Sequence, residues 1–414
     1  MPHLLIVSLN YAPEETGIGP YAAGAAIALA ADGFGVSVLA GLPHYPAWRI
    51  DRPYRHHLRS LERLDGIAVH RRAHYVPASQ SAVKRMLFEG SFLVNAIAGI
   101  PPRCDAVIGI IPALADGVLA RTLAAVRRVP YGLVFQDLMG PAAGQSGISG
   151  GVRVASVARR IEAWSVAGAT RVGAVTTAFY PYLRSIGVDD ESLDHLPNWT
   201  RLGPTTEDRA ETRRKMGWRT EDVIVLHSGN MGLKQGLEVV VDAARTSANH
   251  GRRLRFVLIG DGNQRAQIEW LGRDLENLQI QPLVPKSQLP NVLRAADVLL
   301  VSEKPSVADM SLPSKLTSYF AAGRPIVASV AEDGTTAREI ERSGAGQVAP
   351  AGDAAALVTT IRRVVDDDAL GRALGDAGIG YARTVLDPAA AADRYIAFAH
   401  RVLAGKNSRG VDQK

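Results

Sequence analysis

The sequence predicts an α/β protein built of two doubly wound, Rossmann-like domains. Three observations carry this: a length of 414 residues, short apolar runs that alternate with helical patterns, and a fresh start of that alternation near the middle. A chain this long exceeds one ordinary core and suits two domains of typical size. Hydrophobic residues at 47% and charged residues at 21% are ordinary globular composition, with disorder expected only in the polar tail Lys406 to Lys414.

In the first half, strands are predicted at His3–Leu9, Gly35–Ala40, Gly66–His70, Asp105–Ile111, Tyr131–Phe135 and Val172–Thr176. Helical patterns fall between them at Gly19–Ala31, Ser81–Ala98, Gly117–Arg127 and Arg153–Ala167. Continuous apolar strands separated by helices indicate a parallel sheet covered on both faces. The alternation restarts after Pro197-Asn198-Trp199, with strands at Val223–His227, Arg255–Gly260, Gln279–Val284, Asp297–Val301 and Pro325–Val330. Helices are expected there at Gln235–Ala248, Gln264–Leu275, Ser314–Ala322 and Ala354–Asp366. The expected division is therefore residues 1–203, 204–385 and a C-terminal helix, 386–405, that packs back on the first domain. Sheets of this kind bind ligands outside the C-terminal strand ends, which predicts a cleft between the two domains.

One cysteine, Cys104, excludes an intrachain disulfide and a thiolate metal cluster. The opening Leu4-Leu5-Ile6-Val7 ends in a loop at Asn10 and reads as a strand, not a signal peptide. Pro112 and Asp116 interrupt the longest apolar stretch, so no bilayer span is expected. The expected location is the cytoplasm, or the inner face of the cytoplasmic membrane as a peripheral protein. Nine Arg or Lys stand against three acids between Arg49 and Arg85, which equals the whole formal excess of +6. Charge so localised points to a local anionic partner and away from nucleic acid. Beside it, Ser81–Ala98 carries Lys84 and Arg85 and then Met86-Leu87-Phe88 and Phe92-Leu93-Val94. It reads either as a helix lying on anionic lipid or as a partly buried surface helix.

Three segments carry candidate chemistry. After the first strand, Asn10-Tyr11-Ala12-Pro13-Glu14-Glu15-Thr16-Gly17-Ile18-Gly19 opens a helix, where free N–H groups and the helix dipole favour an anion. Its spacing is not that of a dinucleotide fingerprint. In the second half, His227-Ser228-Gly229-Asn230-Met231-Gly232-Leu233-Lys234-Gln235-Gly236 joins strand to helix; it can cradle a diphosphate or be a plain turn with a solvated lysine. The third, Met310-Ser311-Leu312-Pro313-Ser314-Lys315, starts a helix that ends at Ala322-Gly323. Lys315 stands at the positive end of the helix dipole, a placement that makes sense if an anion sits before both. Gly260-Asp261-Gly262 is a weaker strand-end turn that serves packing more often than ligand contact. Asp366-Asp367-Asp368 reads as a solvated face, and His56, His57, His70 and His74 as part of the basic surface.

Together with Gln136-Asp137-Leu138, Pro197-Asn198-Trp199 and Pro43-His44-Tyr45-Pro46, these segments resemble one family. It is the colanic-acid and O-antigen branch of the retaining family 4 glycosyltransferases, which includes fucosyl and N-acetylfucosaminyl transferases. The match runs from Leu4 to about Arg383. The resemblance implies a GT-B fold: two Rossmann-like domains facing a cleft, the acceptor on the first and a nucleotide diphosphate sugar mostly on the second. It implies donor contacts at Gly17, Gly19, Gly229, Asn230, Met231, Gly260, Asp261, Gly262, Val284, Pro285, Leu312, Pro313, Ser314 and Ser318. Acceptor contacts are implied at Asn10, Glu14, Thr16, His44 and Tyr45. The expected partners are a UDP- or GDP-linked sugar as co-substrate and a sugar acceptor, free or polyprenyl-linked, with no cofactor and no metal.

The sequence departs from the family pattern at defined places. Asn230 and Gln235 fall near the usual Arg and Lys, Met310 and Ser318 at the paired glutamates, and Gln136-Asp137 where a histidine is common. Lys315 and Lys234 are then the expected stabilisers of the leaving diphosphate. Asp137, at a strand end, is the expected group to orient or deprotonate the acceptor or to meet the developing positive charge; the alternative is that it caps the turn Leu138–Pro141. Two rivals stay open: a sugar-nucleotide epimerase of the same fold, and a catalytically idle scaffold that binds nucleotide or lipid carrier.

Overall fold

The computed structural model describes residues 1–78, 81–99, 102–111, 113–145, 151–247, 253–308 and 311–408. Met310, at a family glutamate position, and Ala248, at an expected helix end, lie outside them. The chain divides into two compact units.

The first unit comprises Met1–Asn198, Ser311, Leu312 and the C-terminal helix. Its strands are β1 (His3–Ser8), β2 (Gly35–Gly41), β3 (Arg59–Leu64), β4 (Ile67–Arg72), β5 (Ala106–Ile111), β6 (Tyr131–Phe135), β7 (Arg171–Ala174) and β8 (Leu193–His195). They form one sheet in the order β3-β4-β2-β1-β5-β6-β7-β8. Only β3 runs antiparallel, paired with β4. Sequence reading missed it because Arg59–Leu64 alternates exposed and half-buried residues and lacks an apolar run. The signal was Asp65-Gly66, where φ is +49° and +80°, the left-handed pair that closes a two-residue hairpin.

The second unit holds β9 (Val223–Asn230), β10 (Leu254–Asp261), β11 (Leu278–Gln281), β12 (Val298–Ser302), β13 (Ile326–Val330) and β14 (Gly346–Pro350). All pair in parallel, in the order β11-β10-β9-β12-β13-β14. The two Rossmann-like sheets read from the sequence are both present. β14 escaped the reading because Gly346–Pro350 keeps only Ala349 fully buried. Each sheet is buried in its own apolar cluster, from Leu5, Val7, Phe92 and Leu133 in the first to Val225, Phe256, Leu258 and Leu300 in the second.

The C-terminal helix Pro388–Ser408 lies against β5, β6, β7 and the helix Gly19–Ala31. Gly132 in β6 permits the approach, since a Cβ there would stand 2.6 Å from Val402 and 2.8 Å from Phe398. Among the described residues no helix is long and apolar enough to cross a membrane. Asp367 caps the helix Asp368–Thr384 by accepting from the Ala369 and Leu370 N–H groups, which accounts for the Asp366–Asp368 run as helix-end chemistry.

Candidate active site

In the second sheet the order reverses at β9, which has β10 on one side and β12 on the other. Ligands of open α/β sheets bind beyond the C-terminal strand ends at such a reversal. β9 ends in His227-Ser228-Gly229-Asn230, and Glu303 directly follows β12. The helix Lys315–Ala322 is pinned to this point, because the Ser228 N–H donates to the Tyr319 hydroxyl at 2.8 Å. One turn earlier, the pin sets Lys315 Nζ 3.1 Å from His227 Nε2 and 3.4 Å from Nδ1. Gly229 has φ +127°, and a Cβ there would lie 3.6 Å from Lys315 Cε and 3.7 Å from Nζ. A bare backbone therefore leaves the space beside the ammonium open.

The electrostatics of this corner are unfavourable without a ligand. Burial pushes the Lys315 ammonium down to about 7, against the pull of Glu303. The helix dipole is also positive at this turn, and Ser314 supplies no side-chain cap. Burial, reinforced by Lys315, holds His227 far below its usual range, so the imidazole is neutral. Burial raises Glu303 to about 7, opposed by its bond with Thr336 and by the charges of Lys315 and Lys234. A helix start with open N–H groups, a poorly solvated lysine and a glycine turn together make a receptor for an anion.

The other expected donor residues sort into two groups. Lys234 is exposed in a single 3-10 turn, Leu233–Gln235, and the following helix begins only at Glu238. Asn230, Asp261 and Ser314 are also exposed, while Leu312, Pro313 and Ser318 are half-buried. β11 ends at Gln281, three residues before the predicted end, so Val284 and Pro285 belong to a loop whose Pro285 carbonyl accepts from Gln288. Met231 is a correction: its side chain is wholly buried in the apolar cluster and offers a ligand nothing. Gly260 and Gly262 serve close packing, since a Cβ would fall 1.8 Å from the Gly229 carbonyl oxygen or 2.5 Å from that of Met231.

The first sheet reverses at β1, between β2 and β5. Here Glu14 is buried and ties three segments together. It accepts from Asn10 Nδ2 at 2.8 Å and from the His44 and Tyr45 N–H groups at 3.0 Å each. Its carboxylate is thus spent on shaping the site. His44 is buried with Nδ1 3.0 Å from the Leu42 carbonyl, and burial lowers its affinity for a second proton. Thr16 and Gly17 are exposed, Tyr45 is 37% exposed, and Gly19 is buried at the helix start against Glu14.

Asp137 follows β6 and is half-buried. Its backbone forms an isolated antiparallel bridge with Ser311. In the turn that follows, Glu162 accepts from the Met139 N–H at 2.8 Å and the Gly140 N–H at 3.0 Å. Gln136 is buried and its Oε1 accepts from Asn198 Nδ2 at 2.7 Å, which ties Asn198 to the end of β6.

Several residues escaped sequence reasoning. Asp116 is fully buried and accepts from the Leu9 N–H at 2.8 Å, with burial and neighbouring Glu89 raising its carboxyl well above the usual range. His74 is no surface histidine: it is buried, and burial pushes its pKa down to about 3. Arg71, counted in the basic segment, is completely buried, bonded to Glu62 at 2.6 Å and to the Gly41 carbonyl at 3.2 Å. The remaining surface is nonetheless distinctive. Leu58, Leu61, Val83, Met86, Leu87, Val94 and Ile97 are all about half exposed or more, and an apolar groove of about 630 Å³ runs along the helix Ala82–Ile97.

Comparison with known proteins decides the family. The description "Glycosyl transferase 4-like domain" matches residues 16–199, and "Glycosyl transferases group 1" matches residues 208–380. WcaI of Escherichia coli (strain K12), named as a colanic acid biosynthesis glycosyl transferase, is 32% identical over 334 residues, 77% of this chain and 81% of WcaI. The chain belongs to the group 1 glycosyltransferases. Their GT-B fold is seen in sucrose-phosphate synthase from Thermosynechococcus elongatus, at TM-score 0.74 and 18% identity over 98% of this chain and 100% of that one. Anabaena Alr3699/HepE, solved in complex with UDP-glucose, matches at TM-score 0.66 and 14% identity over 97% and 100% of the two chains. Within this glycosyltransferase, Lys315 and Gly229 are the residues that sequence and geometry single out together.

Proposed function

We propose that this glycosyltransferase is a retaining enzyme that moves a hexose or deoxyhexose from a UDP- or GDP-linked donor to a sugar acceptor carried on a polyprenyl lipid. The place proposed for it is exopolysaccharide or O-antigen assembly, the setting that WcaI is named for. One observation supports the donor reading above all others: Lys315, depressed by burial, stands over Gly229 at the reversal point of the second sheet. UDP-glucose bound to Alr3699/HepE is consistent with a nucleotide sugar here.

Retention without a covalent step needs the acceptor to attack the face from which the diphosphate departs. Leaving-group stabilisation and acceptor placement then carry the rate. Lys315, the helix start at Pro313-Ser314 and Lys234 supply the first. Asp137 supplies the second, with Asn10, Thr16, His44 and Tyr45 shaping the acceptor site. Because lysines take the role that a cation fills at other diphosphate sites, no metal is required in this reading.

The test is transfer of radiolabel from a panel of UDP- and GDP-sugars to lipid-linked oligosaccharide, in excess EDTA. Label should enter the lipid fraction only when acceptor is present. Epimerised sugar nucleotide formed without acceptor would favour the epimerase instead, and strict dependence on manganese or magnesium would refute the metal-free site.

Attachment to anionic membrane forms part of this reading, through the exposed apolar side chains of Ala82–Ile97 and the basic surface around them. Vesicles of phosphatidylglycerol should bind the protein at low salt and release it as salt rises, since exposed charges are screened beyond roughly 8 Å at physiological ionic strength. Met86→Asp with Leu87→Asp, both at exposed positions, should abolish binding. Equal binding of this variant would exclude the helix.

A further inference from the structure

The apolar groove of the first unit has a lining that selects its occupant. Its walls are chiefly Leu58, Met86, Leu87, Gly90, Val94 and Ala98. Three polar residues also reach it, and their bonding groups are engaged within the protein. Ser91 Oγ accepts from the Tyr75 N–H at 2.8 Å and donates to the Phe88 carbonyl at 3.0 Å. Asn95 Nδ2 donates to the Leu58 and Ala73 carbonyls, each at 3.0 Å, and its Oδ1 accepts from Arg59 Nε at 3.0 Å. His74 is neutral, with Nδ1 3.3 Å from the Arg72 carbonyl and an unpartnered Nε2 that is buried. A ligand in the groove meets hydrocarbon and little to bond with, which suits a chain without polar atoms.

Gly90 keeps this groove open. It lies in the middle of the helix Ala82–Ile97, where glycine is destabilising relative to alanine. Close packing does not call for it, since a Cβ there would meet nothing within 4 Å. A side chain at this position would stand in the groove.

The surroundings say which chain fits. His74, in the groove wall, packs on His44 with ring centroids 4.8 Å apart. The groove thus lies one ring away from a residue read as an acceptor contact. Arg59, bonded to Asn95 of the groove, stands directly opposite Arg72 in the β3–β4 pairing. Like charges so paired oppose one another, and an anion beside them relieves this. The acids of the same elements are engaged elsewhere, Glu62 with Arg71 and Glu89 with Arg85, both at 2.6 Å. An apolar chain that ends in phosphate matches the groove and the arginines together.

We propose that the groove is a substrate subsite: it binds the isoprenoid chain of the lipid-linked acceptor, with the chain's phosphate at Arg59 and Arg72. The inference rests on the polyprenyl acceptor of the reading above and names where its lipid is held. It is separable from bilayer attachment, which needs only exposed apolar side chains, whereas chain uptake needs the space at Gly90.

The experiment is photolabelling of the full-length protein with a benzophenone-bearing geranyl phosphate, mapped by peptide mass spectrometry. Wild type should carry the label within residues 86–98, and excess farnesyl phosphate should reduce it severalfold. Excess UDP should leave it unchanged, which sets this label apart from any at the donor site. Gly90→Phe should lose most of the label yet bind phosphatidylglycerol vesicles like wild type, because it fills the groove and leaves Met86 and Leu87 exposed. Arg59→Gln should weaken labelling severalfold; an unchanged label there would overturn the placing of the phosphate. Equal labelling of Gly90→Phe would overturn the subsite, and so would displacement by monomeric dihexanoylphosphatidylglycerol as effective as that by farnesyl phosphate. The wild-type competition decides this even if Gly90→Phe does not fold. Absence of groove label with transfer to a polyprenyl-linked acceptor intact refutes this inference alone. Absence of transfer to that acceptor refutes the acceptor reading, and the inference with it.

Discussion

Lys315→Ala should lower turnover by about two to three orders of magnitude, because loss of one preorganised electrostatic stabiliser typically costs that much. The fold should survive. Lys315 binds protons less readily in the folded chain than in the unfolded one, where an ordinary lysine titrates near 10.4. Between about pH 7 and 10 the unfolded state therefore holds more protons, and stability rises with pH across that window. At neutral pH the buried charge opposes folding, so alanine removes a cost. Steady-state kinetics with a melting curve check both halves of the expectation. Turnover close to wild type in a folded variant would remove Lys315 from the phosphate site.

Asp137→Asn should lower turnover by about 100-fold or more, the ordinary contribution of a positioned general base, with donor affinity and melting temperature nearly unchanged. If Asp137 only caps the turn after β6, asparagine is a near-neutral exchange; if it acts on the acceptor, turnover falls. What distinguishes the carboxylate from the amide is then its charge. A variant that retains most of its activity would show that the acceptor proton leaves by another route.

Most of the fold could be read from the sequence because each central strand is a continuous apolar run, which only a sheet covered on both faces tolerates. The failures share a cause. β3 and β14 lie at sheet edges, where one face meets water and the apolar signal thins. The candidate site was legible where a charged or glycine residue coincides with a backbone break. Lys315 stands out because proline, serine and a helix start surround it, and Gly229 because only glycine takes φ +127° comfortably.

His227, Glu303 and Asp116 were not legible in the same way. By sequence His227 ends an apolar strand and opens the glycine turn, and nothing local shows that Lys315, 88 residues later, returns to it. Glu303 follows the buried run Val298–Ser302 as Asp137 follows Tyr131–Phe135, so the same rule would have found it. Met231 misled in the opposite direction. It sits within a ligand-binding turn by sequence, yet its apolar side chain goes where apolar side chains go, into the core.

The central claim is that the second unit binds a nucleotide diphosphate sugar through Lys315. A thermal-shift panel of UDP- and GDP-sugars against wild type and Lys315→Ala tests it most directly, because a ligand that binds only the folded state stabilises it by mass action. At about 100 times the dissociation constant the gain is about 2.7 kcal/mol. One class of donor should raise the wild-type melting temperature by roughly 5–10 °C, and the variant's by much less. A panel without any shift, or one in which wild type and Lys315→Ala respond alike, would contradict the account.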